Sequence, residues 1–517
     1  MTIARSVYVI SDLHIGGSYE DPNAKHEQRR RGFRMMTHVQ ELAEFVDVLA
    51  ALPATPIVEL VINGDFIDFL AEEYGAGIAI DATKPPAWSP FRANPGEALA
   101  AFREIVKRDK ILFESLAKFV AKPGKCLTLV LGNHDIELCI PDVRAELMAT
   151  LGGGIGDKVR FLDDGQALDL GEVLVDHGNV FDPANVVDHD QLRVLRSAYS
   201  RGWFKGLDRL FTPPAGSKLV ADVMNPIKIA YGFIDLLKPE SEPLFALLLA
   251  LEPRYRREID DCAVALTSIG RSLVPRAGLP NGLRNISAPA EAAQATSGLR
   301  SVSSSTAPKP SAVNDLVDEL LPAAVAASLK LEGNDAVSTA RTVSDGSWTA
   351  KWSLFRLLTG RDDGELDLDR RIPQVQATLA VLARDRSFDR AYENTRYLDA
   401  AKMLVTSQGK LQKGYKAVVF GHTHHAKAMS IPDTKSQYFN TGTWANLMQF
   451  PKLFTDLTAT PAEVKAELFA FAKQLEANEL GDHIKFTPTY VQIDLDEKGG
   501  LDTIRLRDYD HVNKKLV

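Results

Sequence analysis

The chain has 517 residues, 45% of them hydrophobic and 25% charged, with a formal net charge of −8. This is ordinary globular composition, long enough for two or more folding units or for one large α/β domain carrying insertions. The acidic balance, with a pI near 5.8, argues against a protein whose main work is to coat nucleic acid.

Cys126, Cys139 and Cys262 are widely spaced and form no CxxC pair. They fit reduced thiols in a cytoplasmic protein better than a disulfide framework. No secretory leader is visible at the N-terminus. The longest apolar run, Leu244 to Leu251, is far short of the roughly 20 residues that a spanning helix needs. A soluble protein is expected, with peripheral membrane contact left open.

In chain order, Val7–Ser11 reads as a strand and runs into Asp12-Leu-His14. Alternation puts these two polar side chains on one side of an extended chain. Arg29–Arg31 reads as a solvated charge run. Apolar residues from Phe33 to Leu52 recur at helical spacing, and Pro53 and Pro56 end that helix. Ile57–Ile62 is the next strand, ending in Asn63-Gly-Asp65-Phe-Ile-Asp68. A second periodic helix spans Ala98 to Val120, and the strand Cys126–Leu131 delivers Gly132-Asn133-His134-Asp135. A short helix over Asp142–Leu151 precedes the strand Glu172–Asp176, which ends in His177-Gly178. This alternation implies a parallel-rich sheet with right-handed crossovers.

The character then changes. Asp190 to Leu251 is helical in flavour and mixes Arg193, Arg196, Arg201, Lys205 and Arg209 with Tyr199, Trp203, Phe204 and Phe211. Residues 287–311 are rich in Ala, Ser, Thr and Pro, the composition of a flexible linker. Helices are expected over Val375–Leu382 and Tyr392–Val405. The strand Lys416–Phe420 then ends in Gly421-His422-Thr423-His424-His425. Strands are expected at Met429–Pro432, Gln437–Thr441, Thr487–Leu495 and Leu501–Leu506, with a helix over Ala462–Asn478. The division is residues 1–189 as the first part of an α/β core, 190–412 as a mostly helical insertion or cap, and 413–517 as the second part.

Five apolar runs thus end in metal-binding residue types, and His14, His134, His177, His422 and His424, five of the 11 histidines, lie at motif positions in those ends. Sites in α/β sheets form beyond the carboxyl ends of strands, so residues hundreds of positions apart can converge there. The ordered set Asp12-x-His14, Gly64-Asp65-x-x-Asp68, Gly132-Asn133-His134-Asp135, His177-Gly178 and Gly421-His422-Thr423-His424 resembles the calcineurin-like metallophosphoesterase superfamily. The resemblance covers roughly residues 5–185 and 414–445. It implies a β-sandwich flanked by helices, here interrupted by the insertion.

It also implies a binuclear centre. Asp12, His14 and His424 would hold one ion, Asn133, His177 and His422 the other, with Asp65 bridging. The mixed imidazole, carboxylate and amide set, without thiolate, suits manganese first, with iron or zinc as alternatives. His134 would be the catalytic acid or charge stabiliser beside the scissile phosphate, held by Asp68. The two ions would acidify a bridging water and clamp the phosphoryl oxygens. Asp135 is expected to brace its loop, and His425 to be a surface residue or to lie behind the ligands.

The implied activity is hydrolysis of a phosphomonoester, phosphodiester or pyrophosphate in a small or lipid-linked substrate. The motif set is distantly similar to UDP-diacylglucosamine pyrophosphatases. Those are much shorter, however, and usually carry Arg where His134 stands. The alternatives are a nuclease of the same superfamily, which would engage nucleic acid through a basic groove, and a partner-binding scaffold with a vestigial site.

Overall fold

The computed structural model describes residues 2–17, 33–75, 86–152, 158–182, 184–230, 236, 388–393, 396–406, 414–456, 458–477 and 480–517. The linker at 287–311, the apolar run Leu244–Leu251, the expected helix Val375–Leu382, Arg29–Arg31 and Cys262 lie outside these residues.

The strands β1 (Ile3–Ile10), β2 (Ile57–Asn63), β3 (Lys125–Val130) and β4 (Val159–Leu162) pair in parallel in chain order. Their crossovers are α1 (Val39–Ala51), the pair α2 (Pro95–Arg108) and α3 (Lys110–Ala121), and α4 (Pro141–Thr150). Late strands complete this sheet. β12 (Thr489–Asp496) lies antiparallel beside β1, followed by β13 (Leu501–Asp510) and β14 (Lys515–Leu516).

A second sheet has the order β5 (Leu168–Asp169), β6 (Val173–Val175), β7 (Ala417–Phe420), β9 (Gln437–Asn440) and β8 (Lys427–Ser430). Its central strands β6, β7 and β9 run parallel, and β10 (Leu447–Met448) and β11 (Ile484–Lys485) form a separate antiparallel pair.

Side-chain alternation builds the layers. Val7 and Val9 of β1, Val61 of β2 and Val491 and Ile493 of β12 meet Val173, Val175, Val419 and Phe439 of the second sheet in one buried cluster. On the other face of the first sheet, Tyr8, Ile10, Leu60 and Ile62 pack against Leu42, Phe45, Phe102 and Leu116 of the helices. The outer face of the second sheet presents Val418, Phe420 and Tyr438 to Ala400 and Ala401 of α8 (Arg396–Thr406). The result is a two-sheet sandwich with helices on both sides, as expected. Strands apolar on both faces are what this layering requires.

Four details differ from the sequence reading. The strand ending at His177 belongs to the second sheet, because a turn at Gly171 folds β6 back on β5. Alternating strand and helix cannot say which sheet a strand joins. The periodic stretch Ala98–Val120 is two helices parted at Asp109, whose buried carboxylate pairs with Arg34. Residues 33–38 are not helical, and Phe33 packs instead beside Trp88 at 6.0 Å. The strand expected at Met429–Pro432 sits two residues earlier, ahead of a tight turn at Asp433.

The segment that follows residue 188 packs on the helix side of the first sheet. Leu192, Leu195 and Tyr199 of α5 (His189–Tyr199) join the cluster formed by α1 to α4. α6 (Ala215–Leu219) continues through a π-helical turn, Val220–Met224, into α7 (Asn225–Ala230). No helix among the described residues is long and apolar enough to cross a membrane. A further helix, α9 (Pro461–Ala477), lies where periodicity placed it.

Candidate metal centre

All five motif-bearing strand ends open on the same edge of the sandwich. Asp12 and His14 follow β1, Asp65 and Asp68 follow β2, Asn133 to Asp135 follow β3, His177 follows β6, and His422 and His424 follow β7. Asp12, His14, Asp65, Asn133, His177 and His424 are buried, while His422 and His134 are half-buried.

The loops after β1 and β2 are zipped together by main-chain bonds. Leu13 N and His14 N both donate to Asp65 O at 2.9 Å, and Ile15 N donates to Phe66 O at 2.9 Å. Asp12, His14, Asp65, His422 and His424 all have positive φ, between 46° and 69°. Non-glycine residues rarely adopt this conformation, and it clusters at functional sites.

Two groups of ligating atoms result. Candidate ligand atoms of Asp12, His14 and His424 lie within 4.8 Å of one another, as do those of Asp65, His177 and His422. His14 Nε2 is 3.1 Å from His424 Nε2, and His424 Nε2 is 3.4 Å from Asp12 Oδ1. Asp65 Oδ2 stands between the groups, 3.9 Å from His14 Nε2 and 3.2 Å from His177 Nε2. Asn133 sits one residue from the contact in which His134 N donates to Asp65 Oδ1 at 2.9 Å.

Residues 5–243 match the family described as Calcineurin-like phosphoesterase. This stretch belongs to the calcineurin-like metallophosphoesterase superfamily. Curated proteins give no match to it. The matched range contains four of the five strand ends. His422 and His424 lie beyond it and reach the site because β7 pairs with β6.

Metallophosphoesterases use divalent metal ions, and the residues present fit them. Asn133 Oδ1 is a buried acceptor with no hydrogen-bond partner among the described residues, a costly state unless something pairs with it. His177 Nδ1 donates to the Asn63 carbonyl at 2.8 Å, which turns Nε2 toward Asp65. A ring fixed this way through one nitrogen is the usual preparation of a histidine ligand.

The electrostatics agree. Burial, followed by the neighbouring Asp65, pushes Asp12 above the usual carboxylate range against the pull of His177 and His14. Burial also opposes ionisation of Asp65, yet His177, His134 and His14 hold its carboxyl well below that range. Burial works against a charge on His177 too, but Asp65 and Asp12 raise its pKa to about 10. Two buried carboxylates sharing imidazole protons are groups whose protons a cation can replace.

Asp68 touches two rings. Its Oδ1 is 3.1 Å from His134 Nδ1 and its Oδ2 is 3.3 Å from His14 Nδ1. Despite burial, these two imidazoles hold its carboxyl well below the usual range. Asp135 accepts from Gly132 N at 2.7 Å and Phe66 N at 2.8 Å, which braces the loop as expected. Its pKa rises to about 7 through burial and the nearby Asp65.

The surface alternative for His425 is overturned. It is buried and its ring meets Phe388 edge-on at 5.2 Å, because the tight Gly-His-x-His turn directs it inward.

Three residues near the ligands were missed. Asp182 Oδ2 lies 3.1 Å from His422 Nε2, Asn133 Nδ2 donates to Asn185 Oδ1 at 3.4 Å, and Asn440 Nδ2 donates to Gly421 O at 2.7 Å. Asp182 and Asn440 lay in strand-end segments but have no fixed spacing to the motifs. Asn185 had no sequence signal.

Proposed function

We propose that this chain is a metal-dependent hydrolase of a small or lipid-linked phosphoester. In this reading Asp12, His14 and His424 hold one divalent ion, Asn133, His177 and His422 hold a second, and Asp65 serves both. The observation that carries it is the position of Asp65 Oδ2 between His14 Nε2 and His177 Nε2. Ions bound there supply positive charge for the phosphoryl oxygens and acidify an attacking water.

The chain's own residues do the rest. His134 is the proton donor to the leaving-group oxygen. Its Nδ1 is engaged by Asp68, so Nε2 is the nitrogen that can face the substrate. Asp68 keeps that imidazole charged and correctly turned, a carboxylate–imidazole pairing suited to general acid work.

His14, Asp68 and His134 also lie close enough to hold an ion. Both Asp68 oxygens, however, already face imidazole nitrogens, which favours a positioning role for Asp68. Trp203 and Phe204 are exposed and flanked by the exposed Arg201 and Lys205. Together they supply apolar and cationic surface of the kind an amphiphilic phosphate would use.

A screen with Mn²⁺ tests the reading. Its substrates are p-nitrophenyl phosphate, bis-p-nitrophenyl phosphate, nucleoside diphosphate sugars and single-stranded DNA, with Asp65→Ala as control. Turnover of a small phosphoester by wild type and not by the variant is expected. Cleavage of DNA alone would replace the small-substrate reading with a nuclease. Turnover of none by metal-loaded protein would overturn the hydrolase reading.

A further inference from the structure

The loop after His177 carries two side chains that reach the proposed second ion's ligands from behind. Asp182 Oδ2 accepts from His422 Nε2 at 3.1 Å. A histidine whose Nε2–H is given to a carboxylate can offer only Nδ1 as a lone-pair donor. Asn185 Oδ1 accepts from Asn133 Nδ2 at 3.4 Å. That bond fixes which way the Asn133 amide points and leaves Oδ1, the buried acceptor without a partner among the described residues, as its ligating atom.

The two loop side chains also hold each other. Asn185 Nδ2 donates to Asp182 Oδ2 at 2.9 Å, and Asn185 N donates to Asp182 O at 2.9 Å. Asp182 Oδ2 therefore receives both His422 and Asn185, and one small turn sets two ligands that come from different sheets.

We propose that Asp182 and Asn185 form a positioning pair that orients His422 and Asn133 toward the second metal ion. This rests on the binuclear reading above.

The pair is a built feature rather than a chance contact. Asn179 Nδ2 donates to Asn185 O at 2.9 Å, and Ala184 N donates to Asp182 Oδ1 at 3.1 Å. Both flanks of the inserted segment press on it. Gly216 N donates to Ala184 O at 2.7 Å, and a side chain at Gly216 would overlap the Asn185 amide. Arg396, on the returning side, has its guanidinium 3.9 Å from Asp182 Oδ1. The insertion's two ends thus meet at the residues that aim the ligands, which gives its position a direct route to ion affinity.

Groups behind metal ligands typically contribute about 10- to 100-fold to metal affinity. The test is competition of Mn²⁺ or Zn²⁺ binding against a fluorescent chelator, with elemental analysis, on the full chain. Wild type is expected to bind two ions. Asp182→Ala should weaken one of them by about 10- to 100-fold and leave the other unchanged. Asp182→Asn, which keeps an oxygen for His422 Nε2, should recover much of that loss. Asn185→Ala should weaken the same ion, and it stands in as the readout should Asp182→Ala fail to fold.

Two ions bound with wild-type affinity by both alanine variants would overturn the positioning role while leaving the hydrolase reading intact. A wild-type chain that binds no ion would overturn both. Equal weakening of both ions would also count against the proposal, because general loosening of the edge would produce it.

Discussion

His177 is tied to Asn63 across the gap between the two sheets, its Nδ1 donating to the Asn63 carbonyl at 2.8 Å. Asn63 Nδ2 answers with a bond of 2.8 Å to the Asp176 carbonyl. Next to this link Gly64 has φ +83°, and a Cβ there would overlap the His177 ring. Gly64→Ala is therefore expected to push His177 out of line. Elemental analysis should find about one ion fewer per chain, and turnover should fall at least ~10-fold. Full metal content in that variant would show that His177 is not a ligand.

The proposed roles of Asp65 and His134 separate by what each loss removes. Asp65→Ala should lose at least one metal ion. His134→Ala should keep both and lose turnover by about 10²- to 10⁴-fold, the usual worth of a general acid. The loss should shrink with substrates whose leaving groups need no proton, such as p-nitrophenyl esters. A His134→Ala enzyme with wild-type rates on every substrate would remove the residue from the reaction.

Glu137 predicts a pH dependence of stability away from the ligands. It is buried against Arg92, whose main-chain N–H donates to it at 2.9 Å. Burial raises its pKa to about 7 in spite of that partner. The folded protein thus keeps a proton that the unfolded chain releases near pH 4.5. The resulting stability is present at low pH and is lost as pH rises toward 7, up to about 3 kcal/mol. Urea midpoints of wild type and Glu137→Gln should show the variant gaining on wild type from pH 5 to 7 and level above that. A constant gap across the range would mean that Glu137 is already ionised in the fold.

Trp444 anchors the loop behind Asp12. Its Nε1 donates to Thr489 O at 3.0 Å, its ring lies 4.9 Å from Phe45, and its neighbour Thr443 donates to Asp12 O at 2.6 Å. Trp444→Ala should cost about 3–5 kcal/mol in chemical denaturation, as large-to-small core changes do. Trp444→Phe, which keeps most of the volume, should cost less.

The parts of this fold written in short-range pattern were legible in the sequence. β7 is a continuous apolar run and β2 is interrupted only by Glu59 before Asn63, and each leads into a polar cluster within three residues. Those two signals together exposed the strand ends and their ligands. Assignment to sheets was not legible, because β6 and β3 carry the same apolar signature on both faces and differ only in their partners. Nor was the helix break at Asp109, since its cause is a buried pairing with Arg34, which lies 75 positions away. Asp182 and Asn185 were invisible for the same reason. Their importance comes from His422 and Asn133, and no local spacing announces that contact.

Five left-handed residues at the strand ends have a bearing on engineering. Holding Asp12, His14, Asp65, His422 and His424 at positive φ costs of order 1–3 kcal/mol apiece, and glycine would escape that penalty. A library enriched only for thermal robustness would be drawn toward glycine at these sites and would strip the centre of its chemistry while its melting curves improved. Stabilising campaigns on this scaffold need a catalytic filter from the first round.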